Sequence, residues 1–195
     1  MKLLKPLLSL FALGGFATVA SFTTFTSFAT FASFATTAAA AEAAATPFST
    51  DISVAEIMES IVMPSADAFW NAVVYKVTAN GEEMDVPQTD EDWAKLRWSA
   101  VNLATATNLL MIPGTPVAPS DITEAPEGEL NPAQIAALQK DNWQAWVAHA
   151  AVLHEAALEA IKVIDARDID GITDVGGTID AACESCHLQF WYPEG

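Results

Sequence analysis

The chain has 195 residues, of which 25 are Asp or Glu and only 8 are Lys or Arg, so its formal net charge at pH 7 is −17. A surface this acidic repels nucleic acid and anionic lipid, and it favours a basic protein partner or plain solubility. The length fits one domain once a targeting segment is removed.

The first 41 residues have the features of an export signal. Lys2 and Lys5 form a basic start, an apolar run follows, and small residues accumulate before Glu42. This order predicts a signal peptide over 1–41. The uncharged stretch also exceeds the about 20 residues that span a membrane, so an uncleaved anchor is the alternative. In both cases the basic flank stays in the cytoplasm, and the remainder, from a flexible lead-in over 42–50 onwards, is expected outside it.

Amphipathic helices are predicted along the rest of the chain. Apolar residues at helical spacing predict a first helix over about 52–78, which Pro64 should kink or split because proline lacks the amide donor. The polar stretch 79–89, which contains Asn80-Gly81, is predicted to be a turn. A capping residue then starts a second helix over about 90–111.

The segment 112–130 contains four prolines, and an ordered stretch of this length without helix or strand often covers a site. Asn131 followed by Pro132 is a strong helix start. The third helix is predicted to run from there to about Ala166, roughly 50 Å at 1.5 Å per residue. A fourth helix is predicted from about Ile172.

The only two cysteines, Cys183 and Cys186, are followed directly by His187 in the pattern CxxCH. This is the attachment signature of a c-type haem. Two thiols at this spacing can reach the two vinyl groups on one edge of a porphyrin, and the adjacent imidazole can bind the iron. On a helix, positions i, i+3 and i+4 share a face, so the three side chains can meet one ring.

Two other interpretations of the cysteine pair stay open. A redox-active dithiol is expected near a βαβ pattern, and no strand pattern precedes the pair. A zinc site would need a second pair of ligands, and the other two histidines, His149 and His154, fit no familiar zinc spacing. These histidines are five residues apart and are interpreted as core or surface residues. Haem attachment is the favoured interpretation.

A helical domain with CxxCH on its last helix resembles the class II c-type cytochromes, the cytochrome c′ family. The resemblance spans about residues 50–195. It is carried by CESCH, by Phe190 three residues after the motif's histidine, and by EIMESIVMPSADAFW in the first helix. It implies an all-α fold, an antiparallel four-helix bundle over 51–195 with one covalent haem c on the C-terminal helix. The chain departs from the family at Trp191, where a basic residue is common, and in its long proline-rich segment.

The resemblance also assigns ligands. Cys183 and Cys186 would form the haem thioethers, and His187 would be the proximal iron ligand. The family has either a vacant distal face or a methionine from the first helix, and Met58 stands where that methionine or a blocking apolar side chain is expected. Met63 is about 140° further round a helix, so the two methionines are not expected to face the iron together. Met58 as a simple core residue is the alternative.

Three functions follow from these patterns. The first is a periplasmic carrier of single electrons that works with redox partner proteins of basic character. The second is a five-coordinate haem protein that binds NO or CO, and the third is a dithiol redox enzyme without haem. The sequence contains no Ser-His-Asp set and no glycine-rich phosphate loop, so no enzyme activity is predicted. The resemblance implies a homodimer, and membrane association is expected only if the N-terminal segment is retained.

Overall fold

The computed structural model describes residues 48–192. The predicted signal segment, 1–41, and most of the lead-in, 42–50, lie outside the described residues, so both stay predictions. Within the described part the chain is mostly helical, as the sequence predicts. No helix between residues 48 and 192 is long and apolar enough to cross a membrane.

The elements follow one another along the described chain with short connections, except for the long proline-rich segment over 112–130. They are α1 (Val54–Ile57), a π-helical turn (Met58–Val62), α2 (Met63–Trp70), β1 (Val74–Thr78), β2 (Gly81–Asp85), α3 (Asp90–Leu110), α4 (Pro132–Asp141), α5 (Trp143–Ala166) and α6 (Ile169–Phe190). Helix α3 packs on α5, α5 packs on α6, and α2 contacts both α3 and α6. These four helices therefore close a ring around one hydrophobic core.

Neighbouring long helices in this ring run antiparallel. At one end of the α3–α5 contact, the Arg97 guanidinium lies 2.8 Å from the Asp165 carboxylate. At the other end, the indole N–H of Trp146 donates to the Leu110 carbonyl at 2.8 Å. The Trp146 ring also packs edge-on against Phe190, at the far end of α6, with centroids 5.1 Å apart. The start of α5 therefore meets the ends of both α3 and α6.

Two helices begin at the residues that the capping signals predict. The Thr89 hydroxyl accepts the Asp92 N–H at 3.1 Å, and the Asp92 carboxylate accepts the Thr89 N–H at 3.0 Å, so α3 begins within a capping box. Asn131 and Gln134 form the same reciprocal pair ahead of α4, with Pro132 in its first turn. The predicted second helix is confirmed, as is the start of the third.

The first predicted helix is wrong beyond Trp70. The chain leaves α2 there and forms an antiparallel hairpin, whose register ends at the pair Thr78–Gly81. The Val, Tyr and Thr residues of β1 are strand formers, which overrides their helical spacing. Gly81 has φ of 124°, a left-handed value that suits the tight turn before it. The segment 79–89, predicted to be a turn only, therefore also contains β2.

Pro64 divides the first helix, as predicted, and the division includes a π-turn. Proline has no amide hydrogen, so regular α-helical bonding cannot continue through it. Just before it, the Met63 N–H donates to the carbonyl of Met58, five residues back. A π-turn of this kind is rare and is frequently found at functional sites.

The third predicted helix is two helices, because the chain breaks at Asn142. This residue has φ of −123° and ψ of 37°, outside the helical region. Its amide N–H and its side-chain nitrogen both reach the Leu138 carbonyl, at 2.9 and 3.1 Å. An Asn side chain that competes for backbone groups in this way disrupts helices. The expected length of about 50 Å is replaced by α4 and by α5, which is about 36 Å long.

The proline-rich segment, 112–130, has neither helix nor strand, as predicted, but it is fixed at both ends. Near its start, the Val54 N–H donates to the Pro116 carbonyl at 2.8 Å. At its end, the Leu130 N–H donates to the Trp191 carbonyl at 2.8 Å. The segment therefore ties the beginning of α1 to the end of α6.

Replacement of leucine by alanine at a buried and at an exposed position tests where the hydrophobic core lies. Leu103 on α3 is 0% exposed, and Leu103→Ala is expected to lower the free energy of unfolding by about 2–5 kcal/mol. Leu158 on α5 is 37% exposed, and the same change there should cost about 0.5 kcal/mol or less. Chemical denaturation of the two variants checks this, and equal losses would contradict the described core.

Candidate functional site

Helix α6 begins at Ile169, three residues before the predicted start near Ile172. The cause is Asp168, whose carboxylate accepts the Gly171 N–H at 3.1 Å and caps the first turn. From there α6 is continuous to Phe190, so the CxxCH motif lies entirely within a helix.

The structure brings the three predicted attachment residues together on one face of α6. Cys183, Cys186 and His187 are half-buried and line a cavity of about 540 Å³. The remaining wall comes from the π-helical turn, α2, α3 and α5, and it is mostly apolar and aromatic, with Val62, Ala66, Trp70, Leu110, Trp146 and Leu153. Pockets of about 300–1,000 Å³ with apolar walls hold cofactors in many proteins.

A second cavity of about 250 Å³ adjoins the first. Met58, Cys186 and His187 line both cavities. The far wall of the smaller one is formed by the proline-rich segment, including Val117 and Pro126. The segment therefore covers a cavity and links distant parts of the chain, and the expectation that it covers a functional site stays a prediction.

The chemistry of the two thiols follows from their burial. Burial raises the pKa of Cys183 to about 11, and the nearby Asp180 carboxylate acts in the same direction. Burial also raises the pKa of Cys186 to about 11, with a contribution from Cys183. Redox-active dithiols have thiolate pKa values of about 3.5–7.5, so these thiols are poorly suited to disulfide exchange.

His187 sits among aromatic rings at the end of α6. Its ring centroid lies 5.5 Å from that of Trp191 and 6.4 Å from that of Tyr192. Burial lowers the pKa of His187, while the Glu184 carboxylate acts in the opposite direction. A lowered pKa favours the neutral imidazole, which is the form that binds a metal.

Met58 and Met63 both line the larger cavity, at the two ends of the π-turn. The expectation that they do not face the iron together stays a prediction. The two differ in burial. Met63 is 49% exposed, whereas Met58 is half-buried and also lines the smaller cavity beside His187.

His149 on α5 is a site residue that the sequence interpretation missed. It lines the larger cavity, with Nδ1 3.1 Å from the Ser185 hydroxyl and Nε2 2.7 Å from the Gln189 side-chain oxygen. His154 instead contacts the Thr107 hydroxyl at 2.9 Å, and it lines neither cavity. The available signal was spacing, since a residue three positions after a buried one shares its helix face.

Loss of His149 should loosen the part of α6 that carries the motif. Its partners Ser185 and Gln189 flank His187, and one part-buried hydrogen bond contributes about 1 kcal/mol. His149→Ala is expected to lower the free energy of unfolding by about 1–2 kcal/mol and to speed amide hydrogen exchange between residues 183 and 190. His154→Ala is the control, and it should leave exchange in that stretch unchanged. Equal exchange in both variants would contradict this role of His149.

Comparisons with known proteins do not identify the chain. No family model, no curated protein and no solved structure matches it. Among residues 48–192, no three His, Cys, Asp or Glu side chains form a group that could hold a metal ion on its own. The interpretation of the site therefore rests on the residues and the cavity described above.

Proposed function

We propose that this chain is a c-type cytochrome that carries one covalent haem on α6 and transfers single electrons in the periplasm. The observation that carries the proposal is that Cys183, Cys186 and His187 share one helix face and line one apolar cavity of about 540 Å³. Both the size of the cavity and the donor set fit a porphyrin held by two thioethers and an imidazole. The raised thiol pKa values support this function over a dithiol enzyme.

Each residue then has a defined role. Cys183 and Cys186 would hold the porphyrin through two thioethers, and His187 would offer its imidazole to the iron from the same helix. Met58 would supply a sulfur ligand in this proposal, because it is half-buried and lines both cavities with His187. A bound haem supplies the one-electron couple, and a methionine ligand raises its potential. The aromatic and apolar walls exclude water from the site.

The proposal includes the antiparallel four-helix bundle of the class II cytochromes. The segment from α1 to α2 would be the first helix of that bundle, followed by α3, α5 and α6. The closed ring of helix contacts and the antiparallel directions of α3, α5 and α6 support it. The hairpin, α4 and the proline-rich segment would then be additions to the bundle.

A five-coordinate protein that binds NO or CO is the second candidate. The observation in its favour is that Met58 lines both cavities, so there is space on two sides of its flexible side chain. In this candidate Met58 only packs against the site, and a diatomic ligand takes the open position.

An absorption spectrum of the exported protein tests both candidates, recorded oxidised, reduced, and reduced with CO. A haem Soret band and a mass larger than the polypeptide by one haem are expected. A low-spin reduced spectrum that CO changes only slowly supports electron transfer. Rapid CO binding to the untreated ferrous protein supports the second candidate, and a colourless protein with the polypeptide mass rejects both.

A further inference from the structure

Carboxylates line the two cavities, and within residues 48–192 none of them forms an ion pair. Five acidic residues line the cavities and form what we call the acidic rim: Glu59, Glu124, Glu129, Asp180 and Glu184. All except Glu129 are exposed. None of the five takes part in an ion pair with another described residue.

The described basic residues are absent from the walls of both cavities. Lys2 and Lys5 precede the described part, which leaves six of the eight Lys and Arg residues, and none of these six lines either cavity. Five of the six are neutralised in ion pairs, which are Lys76–Asp85, Lys95–Glu91, Arg97–Asp165, Lys162–Glu159 and Arg167–Asp90. Within residues 48–192, the carboxylates of the acidic rim are therefore accompanied by no cation in the walls of the two cavities.

Exposed apolar side chains lie beside these carboxylates. Met63 is 49% exposed, Trp70 39% and Tyr192 38%, and all three line the larger cavity. Protein interfaces combine an apolar centre, enriched in aromatic residues and Met, with a polar rim. The mouth of the larger cavity has this composition.

We propose that the mouth of the larger cavity, with the acidic rim, is the docking surface for the electron donor or acceptor, and that this partner is a protein with a Lys- and Arg-rich patch. The inference rests on the proposed function, because the residues that would hold the haem line the same cavity as the exposed apolar residues and most of the acidic rim. Complementary charge of this kind steers partners together and raises association rates. A second copy of the chain fits this face poorly, since it would set five carboxylates against five others.

Small redox reagents of opposite charge test the sign of the field at the mouth. The ferrous haem-loaded protein is expected to give one electron quickly to a cationic oxidant, the tris(phenanthroline)cobalt trication, and slowly to an anionic oxidant of similar driving force, the ferricyanide trianion. Added salt should slow the first reaction and speed the second, because it screens the attraction and the repulsion.

Two triple variants with the same charge change locate that field. The rim variant is Glu59→Gln, Glu124→Gln and Asp180→Asn, and the control is Glu82→Gln, Glu155→Gln and Asp174→Asn, whose residues line neither cavity. At low salt the rim variant should transfer electrons to the trication about tenfold more slowly than the wild type. The control should be slower by about twofold or less. Titration with octalysine peptide should show a larger loss of affinity in the rim variant than in the control. This measurement does not depend on electron transfer.

The outcomes separate this inference from the proposed function. If the protein is coloured, and both triple variants show equal losses in electron-transfer rate and in octalysine affinity, the docking surface is wrong and the proposed function is unaffected. A colourless protein overturns the proposed function, whatever the octalysine result. A wild-type dimer in sedimentation that tightens when the rim carboxylates are removed would place a second copy on this face, and it would also overturn the inference.

Discussion

Replacement of both Cys183 and Cys186 by Ala is expected to give an exported protein that is colourless and has the mass of the polypeptide alone. The two thiols are the only groups in the sequence that can form the thioethers of a CxxCH motif. His187 alone could hold the iron only reversibly. The measurement is mass spectrometry together with the Soret absorbance of protein made in a host that attaches haem to such motifs.

The control for this variant is Glu184→Gln, which changes the motif but keeps both thiols. It should remain coloured and carry one haem. The double variant should also unfold at lower denaturant concentration than the wild type, because a group bound only to the folded chain stabilises it. A wild-type protein that is itself colourless, and that forms a reversible disulfide between Cys183 and Cys186, would instead support the dithiol enzyme.

Met58→Ala is expected to convert a low-spin reduced protein into a high-spin one that binds CO rapidly. Under the proposed function, removal of the Met58 sulfur would leave the iron one ligand short, and it should also lower the reduction potential, because a methionine ligand raises it. Spectra of the reduced variant with and without CO, and a potentiometric titration, measure these changes.

Met63→Ala is the matched control, since it removes the same side chain from the wall of the same cavity. It should leave the spin state and the rate of CO binding unchanged. If Met63→Ala produces the spin change and Met58→Ala does not, the distal ligand is Met63. If neither variant differs from the wild type, neither methionine binds iron, and the second candidate function gains support.

Local signals predicted the parts of the fold that local chemistry determines. Thr89 and Asn131 cap α3 and α4 as their residue types require, and Pro64 interrupts the first helix. The CxxCH spacing predicted that Cys183 and His187 share a helix face, and both line the same cavity. In these cases a side chain acts on backbone groups within a few residues, so the sequence alone is sufficient.

The predictions that differ from the structure concern segments in which two local preferences compete, or residues whose contacts come from a distant part of the chain. The residues of β1 fit both a helical stripe and a strand, and the tight turn at Gly81 decided in favour of the hairpin. Asn142 could cap or break a helix with equal ease. Spacing could have placed His149 on the buried face of its helix, but its hydrogen-bond partners, Ser185 and Gln189, lie 36 and 40 residues away and only the fold brings them close.

The hydrogen bond between Leu130 and Trp191 fixes the proline-rich segment to the end of α6. Under the proposed function, this contact bears on the order of folding and haem attachment during biosynthesis. The walls of the cavities come from segments as far apart in sequence as Met58 and Tyr192, and contacts of such separation are slow to form. The helix that bears the motif is also the last described helix to be translated. We therefore expect the maturation machinery to meet CESCH on an open chain, so that ligation of the prosthetic group precedes closure of the proline-rich segment and completes the fold.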